Sequence, residues 1–415
     1  MFFLYQIILT ILIVISPIII GIRLFKNKED KKRFLEKFCF ITKKRGYGKI
    51  IWFHGSSVGE ILSIIPLIQD LEKNKSINKI LITSSTLSSS KVIKDFKFRK
   101  VIHQFYPIDH IIFTNKFLNY WKPSAAIFLE SEIWPAMFRE IENKKIPLIL
   151  LNARITKKTF ARWSKINAYA ESIFNKITIA YPQNFETLFF LKKLKVKNIN
   201  FIGNLKYIES HKKKDKINLK LKNQFSKNKI WVASSTHHGE EIFCAKTHIQ
   251  LKKENKNLIT IIIPRHIHRV NKIVSEIKKM NLKVSIHSLR PANIINTDIY
   301  IVDTFGETKK FFKIAPSVFL GGSIIARGGQ NPLEAVRYGS KIFHGPNIDN
   351  FKDVYKLLNT LKASQKIKTP KELASLITFK KNIKTGKKIE KIGAIILKKT
   401  IKELNTLINN EFKKT

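Results

Sequence analysis

Three groups of carboxylates follow apolar runs in this chain, and each stands where a carboxylate could do chemistry. The first is Glu60, which closes His54-Gly55-Ser56-Ser57-Val58-Gly59-Glu60 directly after the apolar run Ile50–Phe53. An apolar-periodic helix follows to about Leu71, so Glu60 sits in its first turn, where it could take the proton from an acceptor hydroxyl as that oxygen attacks. The same spacing also fits a capping box from Ser57 to Glu60. The second group is Glu130-Ser131-Glu132, ahead of Ile133-Trp134-Pro135. On an extended segment its two carboxylates share a face and could chelate a metal, or divide into one catalytic and one structural group. Nearby, Asn152-Ala153-Arg154 ends another apolar run and could clamp an anion.

The third group belongs to the most informative stretch, Gly321-Gly322-Ser323-Ile324-Ile325-Ala326-Arg327-Gly328-Gly329-Gln330-Asn331-Pro332-Leu333-Glu334. It joins the strand-like run Val318–Leu320 to a helix that Asn331 is expected to cap and Pro332 to begin. Free amides at that helix start would face an anion. Glu334 could reach a ribose hydroxyl or turn back to the amide of Asn331. Polar residues also follow other runs in this half: Ser234-Ser235-Thr236-His237-His238-Gly239-Glu240, Pro264-Arg265-His266 and Asp303-Thr304-Phe305-Gly306-Glu307. The histidines His237, His238, His266 and His268 lack a recognisable zinc ligand pattern and read as loop histidines.

The elements that must position these groups show in the hydrophobic pattern. Short apolar runs alternate with helix-like segments at Ile50–Phe53, Ile80–Thr83, Ala125–Leu129, Pro147–Leu151 and Ile177–Ala180, then at Ile230–Ala233, Leu258–Ile263, Lys283–Ile286, Asp298–Val302, Val318–Leu320 and Lys341–Phe343. Such alternation predicts an α/β fold of two Rossmann-like halves that bind ligands at the carboxyl ends of their strands. Residues 1–24 begin with an uncharged apolar stretch close to the ~20 residues needed to cross a bilayer. Arg23, Lys26, Lys28, Lys31, Lys32 and Arg33 then predict a single-pass anchor with everything downstream in the cytoplasm. The expected domains are 25–208 and 230–415, with the polar stretch 209–229 as a linker and a Lys-rich helical tail after Pro370. The formal charge of +47 is mostly scattered Lys, without the Arg-rich or aromatic-interleaved patches of nucleic-acid readers. Two cysteines, Cys39 and Cys244, exclude both a disulfide framework and a cysteine zinc site.

Taken together, seven ordered motifs resemble the 3-deoxy-D-manno-octulosonic acid (Kdo) transferases of Gram-negative bacteria. They are Trp52 to Glu60, Glu130 to Pro135, Asn152 to Arg154, Ser235 to His237, Pro264 to His266, Asp303 to Glu307 and Arg327 to Glu334. The resemblance implies a GT-B type, inverting glycosyltransferase of the inner membrane. It would move Kdo from CMP-Kdo to a phosphorylated lipid A precursor of the lipid IVA type, releasing CMP, with no metal or other cofactor and no nucleic-acid partner. It also implies roles: Glu60 as general base, Glu130 and Lys206 in transition-state stabilisation, and Pro264, Arg265, Phe305, Gly306, Glu307, Asn331, Pro332, Leu333 and Glu334 in binding CMP. Gln330, where the family more often has His, Ala335, where Pro is frequent, and Gly55-Ser56, where Ala-Ala is commoner, depart from its pattern. A GT-B enzyme using a UDP-sugar is the nearest alternative. A basic nucleic-acid-binding protein is the alternative from another class.

Overall fold

In the computed structural model, which describes residues 1–209, 223, 225–289, 294 and 296–414, the apolar runs pair into two wholly parallel sheets. The first contains β1 (Ile50–His54), β2 (Lys79–Ser84), β3 (Val101–Phe105), β4 (Ala125–Leu129), β5 (Leu148–Ala153) and β6 (Ile179–Pro182), in the order β3-β2-β1-β4-β5-β6. The second contains β7 (Lys229–Thr236), β8 (Leu258–Pro264), β9 (Val284–Ile286), β10 (Ile299–Ile301), β11 (Ser317–Leu320), β12 (Lys341–His344) and β13 (Ser364–Lys366), in the order β13-β12-β11-β7-β8-β10-β9. Every residue of β1, β4, β5 and β8 is buried, as continuous apolar runs covered by helices on both faces require. β3 and β13 were not expected from the sequence. Both are edge strands, and their polar residues His103, Gln104, Gln365 and Lys366 break the apolar signal that marks the central strands.

Strand order reverses between β1 and β4 in the first sheet and between β7 and β11 in the second. Such switch points are where α/β sheets of this type take ligands. Glu60 and Glu130 follow the first pair of strands, and Thr236 and Gly321 lie at the ends of the second.

The chain divides into two units, one of Met1–Lys212 with Gly393–Thr415 and the other of Lys213–Ile392. The expected carboxy-terminal domain ran to residue 415, so the last residues are a correction: they pack with the first unit. The part of the long helix Ile383–Lys414 from Gly393 onward is held there by Tyr181 Oη donating to Glu403 at 3.1 Å and by the Asn74–Asn405 side-chain contact at 3.2 Å. Gly393 makes that approach possible, since a Cβ there would lie 2.2 Å from the carbonyl oxygen of Tyr207. Most of the expected linker, including Lys212 to Lys216, falls outside the described residues, and Lys229 already begins β7.

The amino-terminal helix α1 (Phe2–Phe25) is long and apolar enough to cross a membrane, and Ser16 is its one buried residue. Pro17 leaves the carbonyl of Ile13 without its helical donor, and the hydroxyl of Ser16 supplies one at 2.6 Å.

Candidate active site

In the first unit, β1 ends in a turn that Gly55 makes possible, because a Cβ at that position would lie 2.8 Å from Leu129 Cδ1 and 3.2 Å from Glu60 Cβ. Ser57 then caps the helix Val58–Leu71, its hydroxyl oxygen accepting from Glu60 N at 3.2 Å. Glu60 returns the contact, taking Ser56 N at 2.8 Å and Ser57 Oγ at 2.7 Å. Both functions suggested by the sequence are therefore open to one side chain. Burial pushes the Glu60 carboxyl up to about 7; the Glu132 and Glu130 charges add to that rise, and the bonds from Ser57 and Ser56 oppose it. A carboxyl with that value near neutral pH can both take and give a proton.

The segment Glu130-Ser131-Glu132 is a tight turn, so the expected chelating pair on one extended face is corrected. Glu130 has a left-handed backbone with φ 50°. Its buried carboxylate meets Lys206 Nζ at 3.0 Å, while Glu132 points to another set of partners. Glu132 Oε2 takes Ser56 Oγ at 2.7 Å, Trp134 Nε1 at 2.9 Å and His54 Nε2 at 3.0 Å. Burial alone would raise the Glu132 carboxyl, yet these donors outweigh it and hold the group below its usual value. His54 is fully buried, and burial keeps its imidazole neutral against the pull of Glu132. With Nε2 protonated toward Glu132, Nδ1 faces Thr83 Oγ1 at 2.9 Å.

Lys206 reaches Glu130 because its own loop is tied down. Asn152, at the end of β5 and also left-handed at φ 53°, accepts from Leu205 N at 3.0 Å, and Asn204 accepts from Lys206 N at 2.9 Å. Arg154 contributes through its backbone, with its N–H donating to the Glu130 carbonyl at 3.1 Å and its carbonyl accepting from Ser131 Oγ at 2.7 Å. The structure thus gathers Glu60, Glu130, Glu132 and Lys206 at one switch point.

In the second unit a carboxylate to which sequence pattern assigns no role organises the glycine loop. Glu240, fully buried at the start of the helix Glu240–Lys252, accepts from Gly322 N at 2.7 Å, Ser323 N at 3.1 Å and Ile324 N at 3.0 Å, and from His237 N at 2.9 Å. Its place after Gly239 in the first helical turn was the only available sign. Gly321 has no space for a side chain, since a Cβ would lie 2.4 Å from the Ser235 carbonyl oxygen. Two buried polar atoms at this corner, Thr236 Oγ1 and His237 Nε2, have no hydrogen-bond partner among the described residues. Buried polar atoms of that kind call for a partner, and a ligand at the strand ends would supply one.

The end of the glycine loop differs from expectation. The helix after it is a short one, Leu333–Arg337, with Pro332 as the flanking residue and not the first helical one. Asn331 Oδ1 accepts from Leu333 N at 3.0 Å, and Glu334 pairs with Lys309 at 3.8 Å, so Glu334 does not close a capping box with Asn331. Glu307 pairs with Lys310 at 2.8 Å. The Lys309–Glu334 pair brings the segment Phe305–Lys310 beside Asn331–Glu334. Phe305 is exposed and Gly306 is left-handed at φ 81°. Pro264 ends β8, and Arg265, exposed, donates its N–H to the Thr236 carbonyl at 3.0 Å. The rings of His237 and His266 lie 5.8 Å apart, and those of His266 and His268 5.6 Å apart. Among the described residues no group of three His, Cys, Asp or Glu side chains is placed to hold a metal ion.

Comparison with known proteins gives a consistent result. The family described as 3-Deoxy-D-manno-octulosonic-acid transferase (kdotransferase) matches residues 32–209. A 3-deoxy-D-manno-octulosonic acid transferase of Rickettsia bellii is 33% identical over 91% of this chain and 90% of its own. One from Haemophilus influenzae is 27% identical over 84% of each chain. Among solved structures, the UDP-GlcNAc 2-epimerase of Neisseria meningitidis covers 88% of this chain and 100% of its own, with a TM-score of 0.56 at 14% identity. That likeness concerns the fold, which is of the GT-B type.

Proposed function

Because the chain belongs to the 3-deoxy-D-manno-octulosonic acid (Kdo) transferase family, we propose that it moves Kdo from CMP-Kdo to a phosphorylated lipid A precursor of the lipid IVA type, with inversion. The observation that carries the mechanism is Glu60, a carboxyl raised to about 7 beside a Lys206–Glu130 ion pair. Glu60 takes the proton of the acceptor hydroxyl while that oxygen bonds to the anomeric carbon of Kdo. The bond from that carbon to the CMP phosphate oxygen breaks, and CMP leaves with the electron pair. The Lys206 ammonium, held by Glu130, meets negative charge that is greater in the transition state than in the ground state.

The second unit is assigned to CMP. Arg265 answers the phosphate, while Phe305 to Glu307 and Asn331 to Glu334 line the nucleoside, with Glu334 on the ribose. Its exposure and long contact to Lys309 leave that carboxylate available. The step is proposed to need no metal, because protein cations meet the charge. The protein is placed at the inner membrane through α1, with both units on the cytoplasmic side, where the phosphorylated lipid acceptor would lie.

The deciding experiment supplies full-length protein in membranes with CMP-Kdo and a lipid A precursor, then weighs the lipid product by mass spectrometry. Kdo-bearing product, with CMP and not UDP as competitor and with the rate unchanged by a chelator, supports the reading. Donor competition by UDP alone would replace it with a UDP-sugar enzyme. A rate abolished by chelator and restored by a divalent cation would remove the metal-free step.

A further inference from the structure

We propose that α1 lies in the plane of the membrane surface, docked lengthwise on the first unit, and presents its opposite face to a bilayer carrying anionic headgroups. Its partly or fully buried residues are Phe2, Tyr5, Gln6, Leu9, Ile13, Ser16, Ile20, Arg23 and Leu24. That spacing is one stripe along the whole helix. Polar side chains within it and at its edge reach the unit: Tyr5 Oη donates to Asp109 at 2.7 Å, Gln6 Oε1 accepts from Ile111 N at 3.0 Å, and Thr10 Oγ1, at the edge, meets His110 Nε2 at 3.2 Å. At the far end Arg23 Nε meets Glu29 at 2.6 Å, and Glu29 also holds Lys37 at 2.7 Å. Lys37 is fixed in turn to the same part of the unit, since its carbonyl accepts from Ile108 N at 2.9 Å, one residue from Asp109.

Both ends of α1 are therefore tied to one folded surface. Tyr5 and Arg23 are separated by ~27 Å along a helix of this kind. A spanning arrangement would place them near opposite sides of a hydrocarbon layer ~30 Å thick. Keeping both sets of contacts there would draw the folded surface between them, with Asp109 and His110, through hydrocarbon, where charged and polar groups are strongly disfavoured. Laid flat, the helix satisfies everything at once. Phe3, Ile7, Ile11, Val14, Ile18 and Phe25 are exposed on the outer side, and a lipid interface would cover them. Lys26, Lys28, Lys31 and Lys32 are exposed just beyond its end, in a position to meet anionic headgroups.

The test uses full-length protein in sealed native membrane vesicles, with an epitope tag before Met1 and the pair Thr10→Cys and His110→Cys. The native Cys39 and Cys244 are both buried and do not compete. The in-plane arrangement predicts cross-linking of the pair by a short bis-maleimide without detergent, and a tag cut by protease in inside-out vesicles only. A tag cut in right-side-out vesicles only, with no cross-link, overturns it. A second measurement uses liposomes of phosphatidylcholine with or without phosphatidylglycerol. Changing Lys26, Lys28, Lys31 and Lys32 to Gln should weaken binding to the anionic liposomes at least about tenfold and leave neutral ones unaffected. Equal binding by both proteins to anionic liposomes would overturn the headgroup assignment. None of these readouts depends on transfer activity.

Discussion

Glu60 carries the sharpest quantitative consequence. Its carboxyl rises from an ordinary 4.5 to about 7, chiefly through burial. If ionised Glu60 is the base in the free enzyme, kcat/KM should rise about tenfold between pH 6 and pH 8. A carboxyl at its ordinary value would give a flat profile over that interval. The same difference links to stability with the opposite slope. Between pH 4.5 and about 7 the folded protein holds this proton more tightly than the unfolded chain does, so stability from this group is present at low pH and falls as pH rises. The full difference amounts to about 3 kcal/mol. Glu60→Gln, measured by single-turnover transfer across pH 5–9 with urea melts at the same pH values, should lose about 10²–10⁴-fold in rate and become flat in pH. It should also be relatively more stable at pH 8 than at pH 5, because the variant has no buried charge to form. A variant that keeps more than about a tenth of the wild-type rate, or a wild-type profile flat from pH 6 to 8, would refute the reasoning.

Other expectations follow from single contacts. Glu240→Ala leaves four backbone amides without their buried acceptor, so calorimetric CMP affinity should fall at least about tenfold together with Tm, whereas Glu240→Gln should lose less because one oxygen remains. Gly321→Ala should lower stability by about 1–3 kcal/mol in a denaturant melt, since the new methyl meets a backbone carbonyl, and a wild-type midpoint would show that the loop yields freely. Lys206→Gln should cut single-turnover transfer by at least about a hundredfold while CMP affinity stays within a fewfold, as expected for a group acting on transition-state charge.

Much of this architecture is legible in local pattern because the strands are central and buried on both faces, so Ala125–Leu129 reads from the sequence as the structure has it. Two of the four edge strands, β3 and β13, escape, since they mix polar and apolar residues, whereas the edges β6 and β9 lie at runs that the pattern marks. Caps within one turn are equally local, as Ser57 and Glu60 illustrate. Local pattern fails where one residue's conformation or a distant partner decides. The left-handed turn at Glu130 sends it to Lys206 and Glu132 to His54, and no spacing rule separates that from two carboxylates sharing a face.

By itself the sequence determined the two parallel α/β halves, the apolar amino-terminal helix and the order of the motifs, because these rest on periodicity and on residues near one another in the chain. Only the tertiary structure decided that Glu240 gathers the amides of Gly322 to Ile324, that Gly393–Thr415 return to the first unit, and that Tyr5 of α1 finds Asp109. Each of those pairs a buried polar group or a close backbone approach with a partner far along the chain. The demand for a partner is general, but which residue meets it is fixed by folding.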